Sequence, residues 1–335
     1  MCLTGNNGES RTRKPILIAI LLVAALGLTL HWAGILGPSP SRETLVVSTT
    51  TSLYDTGLLD VLEDRFEAEY AVDLYFISAG TGLAIQQAQR GDADMILVHA
   101  PSVEFAFLQE GYGVDRKIIA YNFFTIVGPA EDPAGIEGLP PAQAMEKIAE
   151  AGKRGAATWV SRGDRSGTHL KEIALWEAAG FRVEELRGED WYLESGAGMG
   201  KTLLLAEEKN SYTLADMGTY LKYSAEGHVS LKMLVTQGRE LLNVYSAIAV
   251  NPEANPHTNL EGAIAFIKFL TSPEGQGIIG DYGVDAYGRP LFHPAVELIE
   301  TGSDPVLYGW IEEFAFLNGT ECPPEYRTPN SGLYD

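Results

Sequence analysis

The sequence predicts an α/β protein of two lobes, each a mostly parallel sheet flanked by helices, with a hydrophobic helix ahead of them. Three observations carry that prediction. Short β-branched runs alternate with helix-length segments from residue 44 onward, the pattern of parallel strands covered on both faces. A stretch rich in Pro, Gly and Asp, residues 128–138, interrupts the alternation before it resumes. The chain has 335 residues, which at roughly 150 per domain suggests two.

The elements follow in order. Arg11, Arg13 and Lys14 precede residues 16–36, an apolar run that His31 alone interrupts strongly. A helix of that length would span ~31 Å, enough for a hydrocarbon core of ~30 Å. Its basic flank places the N-terminus in the cytoplasm and the rest of the chain outside. A cleaved signal is the rival, but its best small-x-small site, Ser39-Pro40-Ser41, is crowded by prolines. Cys2 precedes the apolar run and so is not placed like a lipidated cysteine. Residues 16–36 are therefore read as an uncleaved anchor and residues 37–41 as a semi-stiff spacer. Asn318-Gly319-Thr320 is a glycosylation sequon on the extracytoplasmic side.

Residues 44–48 form a first strand, and Leu58, Leu59, Leu62, Phe66 and Tyr70 mark one face of a helix. A second strand spans 72–77, Gly80-Thr81-Gly82 a tight turn, and 83–90 a second helix. A third strand, 95–98, leads to a helix near 103–110 that stops at Gly111. Residues 118–127 are strand-like and leave this unit. Beyond the crossing come a strand at 156–160, a loop at 161–165, a helix at 166–179 ended by Gly180, and a strand at 191–193 before a glycine-rich turn. The run 242–250 returns to the first lobe, followed by an amphipathic helix at 260–270 and another started by Pro273 after Thr271-Ser272. Residues 1–43 thus precede the fold, 44–125 with 246–335 make one lobe, and 126–245 make the other.

Composition narrows the function. Twenty-four Lys and Arg face 45 Asp and Glu, a net charge of -21, so the surface is a poor partner for nucleic acid. Cys2 and Cys322 lie at opposite ends, which excludes a disulfide framework and any Cys-rich metal site. The histidines never approach H-x-x-x-H spacing.

Two strand-to-helix loops combine small hydroxyl residues and a helix start: Thr49-Thr50-Thr51-Ser52, and Ser161 to His169 with its two glycines. Helix N-termini bind anions through unpaired N–H groups and the helix dipole. Serine and threonine add donors, glycine lets the backbone approach, and Arg162 or Arg165 supplies a planar charged fork. Plain N-capping explains either loop alone. Two such loops, one in each lobe, point to an anion held in a cleft. In α/β sheets ligands sit at the carboxyl ends of strands, which singles out residues 49–52 and 78–82.

Other motifs carry less. Gly196 to Thr202 resembles a phosphate-binding loop, but Ser195 stands where its first glycine belongs. Arg162-Gly163-Asp164 is an adhesion tripeptide that occurs by chance. Ser166 and His169 suggest a hydrolase, yet no nucleophile elbow surrounds them, and His169 reads as a surface or supporting residue. Asp92, Asp94 and Asp164 read as solvated turn residues rather than a carboxylate cluster. Trp159, Trp176 and Trp191 read as core anchors.

Taken together, these motifs resemble the tungstate-binding proteins of tungstate-specific ABC transporters. The matching segments are T-T-T-S (49–52), A-G-T-G (79–82), G-D-A-D-x-x-L-V-H-A-P (91–101), E-G-Y-G-V (110–114), V-S-R-G-D-x-S-G-T-H (160–169), W-Y-L-E-S-G-x-G-M-G (191–200), Y-T-L-x-D-x-G-T-Y-L (212–221) and T-S-P-E-G-Q (271–276). The resemblance implies a type II periplasmic-binding-protein fold, a hinge crossed twice, and an oxyanion between the lobes. It implies partnership with a membrane permease and its ATPase, no cofactor beyond the tungstate or molybdate cargo, no enzymatic activity, and a monomer. By position it implies anion contacts from Thr50, Thr51, Ser52, Thr81, Arg162, Ser166, Gly167 and Thr168. Arg165 and Lys201 depart from the family pattern and add positive charge near the mouth. The alternatives are a binder for molybdate, phosphate or another tetrahedral oxyanion, and the Ser166/His169 hydrolase. Tungstate is fully deprotonated and needs donors only, whereas phosphate keeps a proton that wants an acceptor.

Overall fold

The computed structural model describes residues 42–334. The anchor at 16–36, the spacer at 37–41 and Cys2 lie outside the described residues. Among the described residues no helix is long and apolar enough to cross a membrane.

Strand β1 (Glu43–Thr50) leads through a short helix α1 (Thr51–Tyr54) into α2 (Leu58–Glu69), then β2 (Val72–Ala79), α3 (Thr81–Arg90), β3 (Met95–Val98) and α4 (Pro101–Gln109). β1 pairs with β2 and β3 in parallel, so all three point their carboxyl ends the same way. At the loops, two boundaries differ from the sequence reading. Thr49 and Thr50 finish β1 instead of lying in a loop. Thr81 and Gly82 open α3 instead of forming a turn, because Gly80 is extended and serves as its N-cap.

The long strand β4 (Gly113–Gly128) follows. It starts five residues earlier than residues 118–127 suggest, since Asp115-Arg116-Lys117 looks like a loop but is held inside. Arg116 is fully buried against Glu104 at 2.8 Å, and Lys117 meets Glu321 at 3.0 Å. From β4 the chain runs through α5 (Pro141–Lys153), β5 (Trp159–Ser161), α6 (Gly167–Ala178), α7 (Val183–Leu186), β6 (Tyr192–Glu194), α8 (Met199–Glu208), β7 (Thr213–Asp216), α9 (Met217–Ala225) and β8 (Lys232–Val235). It returns along β9 (Leu242–Val250) and closes with α10 (Leu260–Thr271), α11 (Pro273–Asp281), α12 (Val284–Tyr287), β10 (His293–Pro294), α13 (Val296–Thr301) and α14 (Pro305–Ala315).

The sheet is mixed, which corrects the expectation of mostly parallel pairing. β4 pairs antiparallel with β9 from Gly113↔Val250 to Phe123↔Leu242, and β3 pairs antiparallel with β9. Beyond Phe123, β4 changes partners to β7 and β8, again antiparallel. Among the described residues parallel pairing is confined to β1 with its two neighbours and to β5 with β6, apart from the bridge Trp159↔Tyr212. Strand–helix alternation reports βαβ units only. The strands that carry the chain out and back pair with each other head to tail, and nothing in local periodicity encodes that direction.

Apolar packing follows the change of partners along β4. One cluster gathers Leu45, Val47, Phe66 and Phe266 between the sheet and α2 and α10. Another gathers Phe124, Trp159, Trp176 and Trp191 around α5 and α6. The segments that follow β1, β2, β3 and β5 meet one another, Arg162 at Thr51, Gly167 at Thr81 and Ser52 at His99.

Candidate functional site

The first loop is shaped by the end of β1. Thr50 caps α1, its hydroxyl accepting from the Leu53 N–H at 3.4 Å and lying 3.3 Å from Ser52 Oγ. Ser52 is fully buried, and its Oγ lies 3.2 Å from His99 Nε2. Thr51 turns the other way, its Oγ1 accepting from Arg162 Nη2 at 3.2 Å. The turn at Gly198, which starts α8, backs this loop: a Cβ there would stand 3.5 Å from Thr51 Oγ1.

The second loop leaves β5 and ends on α6. Arg162 is 1 % exposed despite its charge. Its Nη1 donates to Thr168 Oγ1 at 3.4 Å and its Nη2 to Asp164 Oδ2 at 2.5 Å, while its Nε is buried without a partner. The turn needs two left-handed residues, Gly163 at φ 65° and Arg165 at φ 57°. At Gly163 a Cβ would also stand 2.9 Å from Glu194 Cβ. Ser166 caps α6 by accepting from the His169 N–H at 3.3 Å, and Asp164 Oδ1 accepts from the Ser166 N–H at 3.1 Å. Gly167 donates its N–H to Thr81 Oγ1 at 3.0 Å, which ties the start of α6 to the start of α3. It has no room for a side chain, since a Cβ would lie 2.9 Å from the His99 ring.

The residues Thr50, Thr51, Ser52, Thr81, Arg162, Ser166, Gly167 and Thr168 are therefore neighbours, all but Thr51 buried, although more than 110 positions separate the first from the last. Helix starts and hydroxyls converge on one buried guanidinium. Such a place stabilises negative charge, because helix N–H groups and the arginine fork both present donors to it.

The other motifs of the sequence take these places in the structure. His169 is buried at 1 % exposure, a supporting residue and not a surface one. Its Nδ1 accepts from the Arg165 N–H at 2.9 Å, and burial lowers its pKa. Ser166 Oγ bonds the backbone of His169 and not its ring, so no nucleophile–base pair is formed. Asp92 is exposed and paired with Arg90 at 2.9 Å, while Asp94 accepts from the Val46 and Asn259 N–H groups, so neither joins Asp164. The adhesion tripeptide is not displayed, since Arg162 points inward. Among the described residues no group of three or more His, Cys, Asp or Glu is placed to hold a metal.

Beneath the loops lies a polar layer that local sequence does not announce. His99 follows β3, stacks on Tyr245 at 4.9 Å, and its Nδ1 lies 2.7 Å from Asn243 Oδ1 on β9. Asn243 Nδ2 in turn faces Asn122 Oδ1, Asp216 Oδ2 and the Tyr245 hydroxyl at 2.8, 2.8 and 2.9 Å. Burial lowers the His99 pKa to about 4, with Arg162 and Lys171 adding to it and the Asn243 bond opposing. On the other side of the Arg162 loop, Glu172 accepts from Trp159 Nε1, Tyr192 Oη and Ser161 Oγ at 2.8, 2.8 and 2.9 Å. Burial raises its pKa to about 7 against those three bonds. Sequence reasoning did not single out His99, although two signals could have found it: its position just past a strand's carboxyl end and its place in the 91–101 segment.

Residues 37–274 match a family described as the PBP superfamily domain. A Haloferax volcanii protein that carries an ABC transporter anion-binding name is 48 % identical over 260 residues, 76 % of this chain and 72 % of its own. The tungstate-binding protein TupA of Peptoclostridium acidaminophilum is 38 % identical over 286 residues, 83 % of this chain and 96 % of its own. The solved structure of the tungstate-binding protein TupA from Desulfovibrio alaskensis superposes with a TM-score of 0.64 at 41 % identity, covering 75 % of this chain and 98 % of that one.

Proposed function

The chain belongs to the PBP superfamily and, within it, to the family of the TupA tungstate-binding proteins, and from that membership we propose that it captures tungstate outside the cytoplasm and delivers it to an ABC importer. In this reading the permease and ATPase subunits are its partners, it acts as a monomer, tungstate is cargo rather than cofactor, and it catalyses nothing. Residues 44–125 with 246–335 and residues 126–245 are the two lobes, and residues 16–36 tether them to the membrane.

The observation that carries the reading is the buried Arg162, which faces hydroxyls from both sides, Thr51 at 3.2 Å and Thr168 at 3.4 Å. The anion contacts are Thr50, Thr51, Ser52, Thr81, Arg162, Ser166, Gly167 and Thr168. A tetrahedral dianion without protons is suited by donors alone, and the guanidinium, the hydroxyls and the start of the twelve-residue α6 are donors. In a chain of net charge -21 the site must make its own positive potential from these groups. The hydrolase alternative lacks support, because the His169 ring is engaged by Arg165 rather than by Ser166.

A thermal-shift panel of tungstate, molybdate, sulfate, phosphate and chromate tests it. Tungstate at 100 times its Kd is expected to add about 2.7 kcal/mol of stability. Stabilisation by phosphate or sulfate alone, or by no anion, would overturn the assignment.

A further inference from the structure

The polar layer under the site has a direction. Asn243 Nδ2 is surrounded by three acceptors, one of them the Asp216 carboxylate at 2.8 Å. Rotating the amide by half a turn would set its oxygen against that carboxylate, so the amide orientation is fixed. Asn243 Oδ1 then faces His99 Nδ1 at 2.7 Å and can only accept, which puts the imidazole proton on Nδ1. A neutral imidazole protonated there has a bare Nε2. Two acceptors lie within reach of the Ser52 hydroxyl: Thr50 Oγ1 at 3.3 Å, which already accepts from the Leu53 N–H, and the bare Nε2 at 3.2 Å, so Ser52 donates to His99. Ser52 has one proton, and in the empty site that proton points away from the cleft. It offers lone pairs where an unprotonated oxyanion needs a donor.

We propose that anion capture at this site is coupled to protonation of His99: one proton enters from solvent at Nε2, the Ser52 hydroxyl reverses, and its proton turns to the anion. This deepens the tungstate reading and rests on it. His99 is then a positioning residue that acts through Ser52.

The groups facing the imidazole agree with a switch driven by charge. Burial disfavours its cation most, and Arg162 and Lys171 add to that. The remaining surroundings are the Tyr245 ring, Phe124 at 6.0 Å, Gly167, and the Asp216 carboxylate behind Asn243. A dianion against Ser52 and Arg162 cancels the cationic field, and its own charge favours an imidazolium.

The test is calorimetric titration of the full chain with sodium tungstate, between about pH 5 and pH 7, in buffers of differing ionisation enthalpy. The wild type is expected to take up a measurable fraction of a proton per anion. Its affinity should fall as pH rises, at most about tenfold per unit. His99→Asn keeps a donor for Asn243 Oδ1 but cannot titrate, so its uptake should vanish and its affinity should become flat with pH. Nitrogen spectra of histidine-labelled wild type read the same event without a variant: one Nδ1–H imidazole should become an imidazolium on adding tungstate. Absence of binding heat in the wild type defeats the tungstate reading itself. Binding without proton uptake, no imidazolium signal, or uptake that persists in folded His99→Asn defeats the coupling and leaves the tungstate reading standing.

Discussion

Arg162→Ala is the sharpest perturbation of the proposed site. The guanidinium is 1 % exposed, holds Thr51 at 3.2 Å and Thr168 at 3.4 Å, and keeps a third nitrogen, Nε, free of partners. A charge-assisted hydrogen bond is worth roughly 1.5–3 kcal/mol, and leaving a desolvated charge unpaired costs roughly 2–5 kcal/mol. Tungstate affinity should thus fall by about 30- to 3,000-fold, since 1.4 kcal/mol is tenfold. The fold should survive, because Asp164, which loses its partner, retains the Ser166 N–H and an 18 % exposed side chain that water can reach. Arg162→Lys restores the charge without the fork and should recover part of the loss. Titration calorimetry gives the affinities, and circular dichroism confirms the fold. Unchanged affinity in folded Arg162→Ala would place the anion elsewhere and make Arg165 the next candidate.

Ser166→Ala removes a neutral donor and the cap of α6, so affinity should fall by about 0.5–1.5 kcal/mol and stability by about 1 kcal/mol; calorimetry and urea unfolding measure the two. Gly167→Ala sets a methyl 2.9 Å from an imidazole pinned by Ser52 and Asn243. It should cost about 1–3 kcal/mol of stability together with weaker binding, and an unchanged urea midpoint would contradict the packing. Glu172 has a folded pKa raised to about 7 by burial, so between its ordinary value of 4.5 and that point the folded chain holds a proton the unfolded chain has lost. Stability should therefore decline as pH rises through that window and level off above it, a slope that Glu172→Gln removes.

The parts of the site legible in sequence are those written as local patterns. Hydroxyl residues directly after the β-branched run at 44–48 and around Ser166 announce helix starts at strand ends, and both loops occupy that place in the structure. What was not legible depends on partners far along the chain. His99 acquires its role from Asn243, 144 positions away. The start of β4 is hidden because Arg116 and Asp115 read as solvent-facing until Glu104 and Thr328 are brought to them. The antiparallel course of β4 and β9 is likewise a property of which strands meet, not of either strand's composition.

Asp164 bears on how such a site is kept ready without a ligand. A buried guanidinium with no counter-charge is expensive, and the loop answers this by setting Asp164 Oδ2 2.5 Å from Arg162 Nη2. The carboxylate offsets part of that charge in the empty cleft, so a positive field alone does not select the anion. It must instead match the hydroxyls of Thr51, Thr81 and Thr168, the Ser52 hydroxyl once it has reversed, and the free Nε of Arg162. Both oxygens of Asp164 already face donors of their own loop, Arg162 and the Ser166 N–H. Each is already engaged there, which makes Asp164 a weaker acceptor for an incoming proton. Hydrogen phosphate, which carries one, needs an acceptor, and Ser52 supplies one only while it donates to neutral His99, whereas a fully deprotonated tetrahedral dianion needs none. On this reading discrimination against phosphate resides in the pairing of Asp164 within its loop together with the protonation of His99 that turns Ser52 from acceptor to donor.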